Sequence, residues 1–258
     1  MPDGCDTVAF DRARDLLGAA REVVAFTGAG ISAESGIPTY RDTEDSLWSR
    51  YDPEEYAHID AFMRDSTLFW RFFQDVRYRT IREARPNPAH RALAALERAG
   101  KLKAVITQNI DGLHQAAGSR EVTELHGNTH RIRCLRCGGG YSMDEVYALL
   151  RATLPPPCPS CGGMLKPEVV LFGESLPEGA LARAAAWVDR CDLLLAVGSS
   201  LSVYPAALLP QRARARGAGL ILINKTPTPA DAEADAVLHE AAGEVLPRLA
   251  AALGLAEE

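Results

Sequence analysis

Four cysteines of the 258-residue chain are spaced as Cys134-x-x-Cys137 and Cys158-x-x-Cys161, with twenty residues between the pairs. Two such knuckles can present four thiolates to one tetrahedral zinc ion, and glycines at 138–140 and at Gly162 and Gly163 support the turns. Disulfide or redox pairing is the alternative. The opening Met1-Pro2-Asp3-Gly4-Cys5-Asp6 has no basic segment followed by an apolar one, so a reducing compartment, and therefore metal, is expected. With all four positions taken by protein sulfur, none is left for water or substrate, and the expected zinc is structural.

A second constellation runs from Gly28-Ala29-Gly30-Ile31-Ser32 through Ser35-Gly36-Ile37-Pro38 to Thr39-Tyr40-Arg41-Asp42, directly after the apolar run Val23 to Phe26. A buried strand feeding a glycine-rich turn brings backbone close to a phosphate, and the following helix aims free N–H groups at the anion. Taken alone the pattern also fits an ordinary strand-to-helix turn. A dehydrogenase fingerprint would continue to a second apolar strand ending in Asp or Glu about 20 residues on. None follows; Ser35 to Pro38 ends the helix early and brings Thr39, Tyr40 and Arg41 beside the expected phosphates.

The elements that must position these groups follow from apolar patterning. Asp11 to Arg21 reads as an amphipathic helix, and strands are expected at Val23–Phe26, Lys103–Thr107, Val169–Phe172, Leu193–Val197, Leu220–Ile223 and Ala236–Leu238. Helix-like segments separate most of them, which is the rhythm of a doubly wound parallel α/β sheet of Rossmann-like type. From Leu47 to Arg85 the aromatics Phe62, Phe69, Trp70, Phe72, Phe73 and Tyr78 have helical spacing, predicting a helical insertion whose rings are mostly core, some lining a pocket. Pro86-Asn87-Pro88 stops it, and Ala89 to Ala99 begins a new helix.

In such sheets ligands gather at the carboxyl ends of the strands. Gln108-Asn109-Ile110-Asp111, Gly198-Ser199-Ser200 and Asn224-Lys225-Thr226 stand at those ends together with the glycine loop. Each cluster alone is an unremarkable loop; four at corresponding ends predict one cleft. Of six histidines, His126 stands out because it follows Val122 to Leu125, precedes Gly127, and sits just before the cysteine segment, and an imidazole exchanges protons near neutrality. His90 and His114 are expected to be structural.

Across nearly its whole length, from Val23 to Leu249, the chain resembles the sirtuins, NAD-dependent protein-lysine deacylases. The resemblance rests on the loop Gly28 to Arg41, on Thr107-Gln108-Asn109-Ile110-Asp111, Glu124-Leu125-His126-Gly127, both cysteine knuckles, Val170-Leu171-Phe172-Gly173-Glu174 and Gly198-Ser199-Ser200-Leu201, in the family's order. It implies an NAD-binding Rossmann-like domain in three parts, 1–38, 90–130 and 166–258. A helical insertion at 39–89 and a zinc-binding one at 131–165 interrupt it. It also implies that His126 is the general base and that Asn109 and Asp111 position the nicotinamide end and its water. NAD contacts would come from Gly28, Ala29, Gly30, Ser32, Tyr40, Arg41, Gln108, Gly198, Ser199, Ser200, Asn224, Lys225 and Ala242. Val170, Phe172 and Gly173 would pair with an acetylated peptide as a strand.

The implied reaction has the acyl oxygen attack the ribose carbon bearing nicotinamide; His126 then helps deprotonate a ribose hydroxyl, and lysine and O-acyl-ADP-ribose leave. The Thr39-Tyr40-Arg41 form resembles a branch that includes desuccinylases, but their Tyr-x-x-Arg pair is missing around Trp70 to Phe73. A carboxylate without a partner is costly to bury, so acetyl is expected over succinyl unless Arg77 or Arg79 compensates. The alternatives are protein mono-ADP-ribosylation, removal of longer or acidic acyl groups, and a zinc-ribbon binding module without catalysis. A net charge of −6 argues against a chain built to bind nucleic acid, and 47% hydrophobic residues suffice for a large core. No run is long enough to cross a bilayer, so a cytoplasmic enzyme is expected, with its oligomeric state open.

Overall fold

The computed structural model describes residues 7–39 and 47–255. Its centre is a six-stranded parallel sheet of β1 (Val23–Thr27), β2 (Leu102–Thr107), β3 (Val122–Glu124), β7 (Leu193–Val197), β8 (Gly219–Ile223) and β9 (Ala236–Leu238). The spatial order is β3-β2-β1-β7-β8-β9, so the chain winds outward from β1 in one direction and from β7 in the other. Strands β1 and β7 run in register from Val23 beside Leu193 to Thr27 beside Val197, and both are buried throughout. Near-continuous apolar strands are what a parallel sheet covered on both faces requires.

Alternate residues serve the two faces. Val23, Ala25, Leu193 and Leu195 pack with Ala13 and Leu17 of helix Thr7–Ala19, Leu93 and Leu96 of helix Pro88–Arg98, and Leu246 and Leu249 of helix Ala242–Ala252. Val24, Phe26, Leu194 and Ala196 pack with Ala184 and Val188 of helix Glu178–Val188 and with Leu209 and Ala213 of helix Leu208–Ala215. Helix Pro88–Arg98 starts at a capping box: the Asn87 side chain accepts from the His90 amide, and His90 Nδ1 accepts from the Asn87 amide.

A smaller antiparallel sheet, in the order β5-β4-β6, is built from β4 (Gly127–Cys134), β5 (Gly140–Ser142) and β6 (Leu165–Val169). Its Ile132 and Leu165 share a core with Met143, Val146 and Leu150 of helix Met143–Leu150 and with Phe62, Phe69, Trp70 and Phe73 of the helical segment. The two insertions in the sequence therefore form one packed unit beside the large sheet.

The expected parallel strand at Val169–Phe172 is not there. Val169 ends β6, which is antiparallel to β4 and carries Pro167 on an edge, where a residue without an N–H is tolerated. Its neighbours alternate between buried and half-buried, so the apolar run Val169 to Phe172 misled by continuing past the strand's end. Residues 170–173 instead leave the sheet as a loop, held to the helical segment by a bridge between Phe172 and His58.

Candidate functional site

The loop after β1 is a 3₁₀ helix, Ala29–Ser35, closed by Gly36 in the left-handed region at φ 82°. It interlocks with the loop after β7. Gly28 N donates to Val197 O at 3.0 Å and Gly30 N to Gly198 O at 2.8 Å. At Gly198, φ is +61° and an added Cβ would run into the Ile31 amide, while a Cβ on Gly28 would stand 2.8 Å from Gly198 O. The strand order reverses between β1 and β7, and the crevice at that point is where an open α/β sheet binds its ligand.

Behind this loop lies a linked polar core, in which His114 Nδ1 is buried without a hydrogen-bond partner among the described residues. Ser32 Oγ donates to Asp111 Oδ2 at 2.8 Å and accepts from Asn109 Nδ2 at 3.0 Å; Asn109 Nδ2 also donates to Gly28 O at 3.1 Å. Asp111 Oδ1 accepts from Leu113 N at 2.9 Å. Because His90 Nδ1 accepts from Asn87 N, its Nε2 carries the proton and faces Ser32 Oγ at 3.5 Å. Thr27 Oγ1 donates to Thr107 Oγ1 at 2.8 Å, so His114 Nε2 is the donor in its 2.9 Å bond to Thr27. Burial lowers the pKa of His90 to about 4 and that of His114 well below its usual range, keeping both neutral, and raises that of Asp111.

A cleft of about 280 Å³ opens in front of the loop, and the ends of β1, β2, β7 and β8 all contribute to it: Gly28, Ala29 and Gly30, Gln108 and Asn109, Gly198, Ser199 and Ser200, and Asn224. His126 lies on its wall. Its Nδ1 donates to Gln108 O at 2.9 Å, which fixes the tautomer and leaves the lone pair on Nε2. Burial pulls its pKa below the usual 6.5, opposed by the bond to Gln108, so the ring is an unprotonated base at neutral pH. Gln108 in turn donates from Nε2 to Ser199 Oγ at 2.8 Å, joining base and glycine loops through one residue.

Val170, Phe172 and Gly173 line the cleft beside His126, and Val170 N donates to His126 O at 2.9 Å. Ser32 and Asp111 are buried behind the loop rather than lining the cleft; Ala242 is buried at the start of its helix, and Lys225 is exposed outside the lining. Tyr40 and Arg41 lie outside the described residues. The aromatics expected to be mostly core include three, Phe69, Phe72 and Phe73, that line the cleft, beside a π-helical turn at Phe73–Tyr78 that also places Arg77 there. Thr129, Glu174 and the run Val203–Tyr204–Pro205 line it as well and were not singled out by sequence. The signal for that run was its place after Gly198-Ser199-Ser200, at a strand's carboxyl end.

In the small sheet, the sulfurs of Cys134, Cys137, Cys158 and Cys161 lie within 4.8 Å of one another, with Cys134 and Cys161 3.5 Å apart and Cys137 and Cys158 3.8 Å apart. A tetrahedron with bonds of about 2.3 Å to sulfur has edges of about 3.8 Å, so the four thiols fit one zinc ion. None of the four lines the cleft.

The profile of the Sir2 family matches residues 28–205, which spans both glycine loops, His126 and all four cysteines. This chain belongs to the Sir2 family. The NAD-dependent protein deacylase 2 of Pyrobaculum aerophilum is 50% identical over 235 residues, covering 91% of this Sir2 chain and 92% of that protein. The NAD-dependent protein deacylase of Thermococcus kodakarensis is 49% identical over 240 residues, covering 92% and 93%. Among solved structures, a Sir2 complex with a deacetylated p53 peptide and 3'-O-acetyl ADP ribose superposes with a TM-score of 0.92 at 38% identity, covering 96% of this chain and 99% of that one. A Sir2 complex with a p53 peptide and NAD superposes with a TM-score of 0.87 at 39% identity, covering 94% and 97%.

Proposed function

We propose that the cleft is where NAD and an acylated lysine meet, and that the protein is an NAD-dependent protein-lysine deacylase acting on acetyl-lysine. The observation that carries this reading is the convergence of four strand-end loops on one cleft whose wall holds His126 with its Nε2 lone pair free of the Gln108 bond. When bound, NAD supplies a ribose carbon whose cationic nicotinamide is a good leaving group.

The protein's own residues orient the reactants. Gly28 to Gly30 and Gly198 to Ser200 offer close backbone approach to the diphosphate, and Asn224 at the end of β8 is suited to the adenosine ribose. Asn109 and Asp111 hold the nicotinamide end in register through Ser32. His126 Nε2 takes a proton from a ribose hydroxyl, and the Gln108 carbonyl stabilises the imidazolium that results. Val170, Phe172 and Gly173 present a backbone edge to the peptide, a mode that reads main chain more than side chain. The apolar wall at Phe69, Phe72 and Phe73 suits a short uncharged acyl group and keeps competing water out.

This reading divides the chain into a Rossmann-like NAD-binding domain at 1–38, 90–130 and 166–258, a helical insertion at 39–89 and a zinc-binding insertion at 131–165. Zinc would serve as a structural tie. Four thiols assembled for metal suit a reducing compartment, hence the cytoplasm. Among the described residues no helix is long and apolar enough to cross a membrane.

The test is NAD consumption with and without an acetyl-lysine peptide, with the products identified by mass. Nicotinamide, free lysine peptide and O-acetyl-ADP-ribose in equal amounts are expected. An ADP-ribosylated peptide with its acetyl group intact would overturn deacylation in favour of ADP-ribosyl transfer.

A further inference from the structure

The cleft wall at residues 169–174 has no regular structure beyond the end of β6, yet it is tied at every step. Phe172 N donates to Ala57 O and Ile59 N donates to Phe172 O, both at 2.9 Å. Gly173, at φ +83°, sits against His58, whose ring a Cβ would meet at 2.6 Å. The remaining ties come from one ion pair. Lys166 Nζ donates to Val169 O at 2.8 Å and lies 2.9 Å from Glu174 Oε2; the same oxygen accepts from Leu171 N at 2.8 Å, and Glu174 N donates to Leu171 O at 3.0 Å. The Lys166 side chain is 11% exposed and that of Glu174 28%.

Among the ion pairs of the described residues, this one has the least exposed cationic side chain, and both of its members also bind backbone of the cleft wall. Lys166 stands on β6, the strand that leaves the second cysteine knuckle, and reaches along the chain to the loop that adjoins His126. Without its ammonium group, the Glu174 carboxylate keeps one peptide N–H as partner beside the buried side chains of Leu171 and Leu176. Turning to water is then the cheaper arrangement and releases Leu171 N, while Val169 O has already lost its bond from the ammonium group. A peptide that binds by adding a strand needs the wall's polar groups held in place beforehand, because ordering them on binding costs affinity.

We propose that Lys166 and Glu174 form a clamp that positions the 169–174 wall for an acylated peptide, so that Lys166 sets peptide affinity without touching the reacting atoms. This rests on the reading of Val170, Phe172 and Gly173 as the peptide side of the cleft. Lys166 is then a positioning residue whose influence falls on one of two substrates.

Steady-state kinetics of the full chain with an acetyl-lysine peptide tests it. K166M is expected to raise the peptide KM about ten-fold and to leave the NAD KM within about two-fold of wild type, with K166R close to wild type. E174Q should repeat the K166M result, and the double variant should be no worse than either single one, since all three break one interaction. E174Q also carries the test if K166M does not fold. An unchanged peptide KM in K166M, with V170A raising it, overturns the clamp while leaving the peptide wall in place. An unchanged peptide KM in both removes the wall and the clamp with it. A parallel rise in both KM values, with a lower Tm, also overturns the proposal by reducing the pair to a general structural role.

Discussion

Gly30 and Gly198 meet back to back beyond the carboxyl ends of the two central strands: a Cβ on Gly30 would lie 2.7 Å from the Gly198 Cα. The two loops are thus locked to each other by the absence of side chains. Gly198→Ala adds a Cβ aimed at the Ile31 amide and strains φ +61°, so a loss of about 2–4 kcal/mol in urea unfolding is expected, together with weaker NAD binding by calorimetry. Gly36→Ala is the control. Gly36 also has positive φ but open space around it, so only the backbone strain of about 1–2 kcal/mol should appear.

His126→Ala should reduce acetyl-lysine turnover about 10²–10⁴-fold, the usual worth of a positioned proton-transfer group. NAD affinity and Tm should change little, because the ring's Gln108 bond is local to the cleft wall. Since burial lowers the His126 pKa below 6.5, the acid limb of kcat/KM should fall at a pH below that value. A limb centred above pH 7, or near-normal turnover by the alanine variant, would contradict the assignment of His126 as base.

His90 and His114 give stability its own pH dependence. Both have depressed pKa values in the fold, His90 near 4, against 6.5 when unfolded. Above pH 6.5 both states are neutral and nothing is lost; below it the unfolded chain binds protons that the folded one refuses, so stability declines toward pH 4. For His90 alone the loss is about 3 kcal/mol at about 1.4 kcal/mol per unit. Asp111, whose pKa is raised by burial, acts in the opposite sense. Urea midpoints that stay flat between pH 7 and pH 4.5 would refute the scheme.

Elemental analysis should give one zinc per chain, and serine at Cys134, Cys137, Cys158 or Cys161 should abolish its retention and lower Tm. Removing zinc with a strong chelator should shift far-UV circular dichroism modestly, because the large sheet carries its own two cores. Protein purified without zinc yet equally stable would exclude the structural role.

Acetyl-lysine should be preferred to succinyl-lysine in peptides of identical sequence at saturating NAD. Of the two arginines that could partner a succinyl carboxylate, Arg79 is exposed and paired with Glu83 at 3.0 Å, whereas Arg77 lines the cleft. If the ratio of catalytic efficiencies favours succinyl, Arg77→Met should reverse it and Arg79→Met should not.

The strands β1, β2, β7, β8 and β9 were legible because each is a short apolar run bounded by polar or glycine residues, and the carboxyl ends of the first four were legible as the cleft for the same reason. The small sheet was harder to see. Its β6 alternates around Pro167 and runs without a break into Leu171 and Phe172, so no local signal separates strand from loop. The cysteine pairs were plain, but nothing in their spacing says that Phe62, Trp70 and Leu165 close over one shared core, which is a long-range packing outcome. Nor could spacing reveal that Lys166, five residues after Cys161, reaches Glu174.

The chain enters the small sheet at Gly127, one residue after His126, and leaves it at Val169, where the adjoining cleft wall begins. Gly127 and Val169 are paired across β4 and β6, and a Cβ on Gly127 would collide with the Glu168 carbonyl. The metal-binding module is therefore joined to the large sheet by two paired strand ends that lie directly beside His126. Strain at the cysteine site thus has a backbone route to His126 and Val170, even though the four cysteines line no part of the cleft.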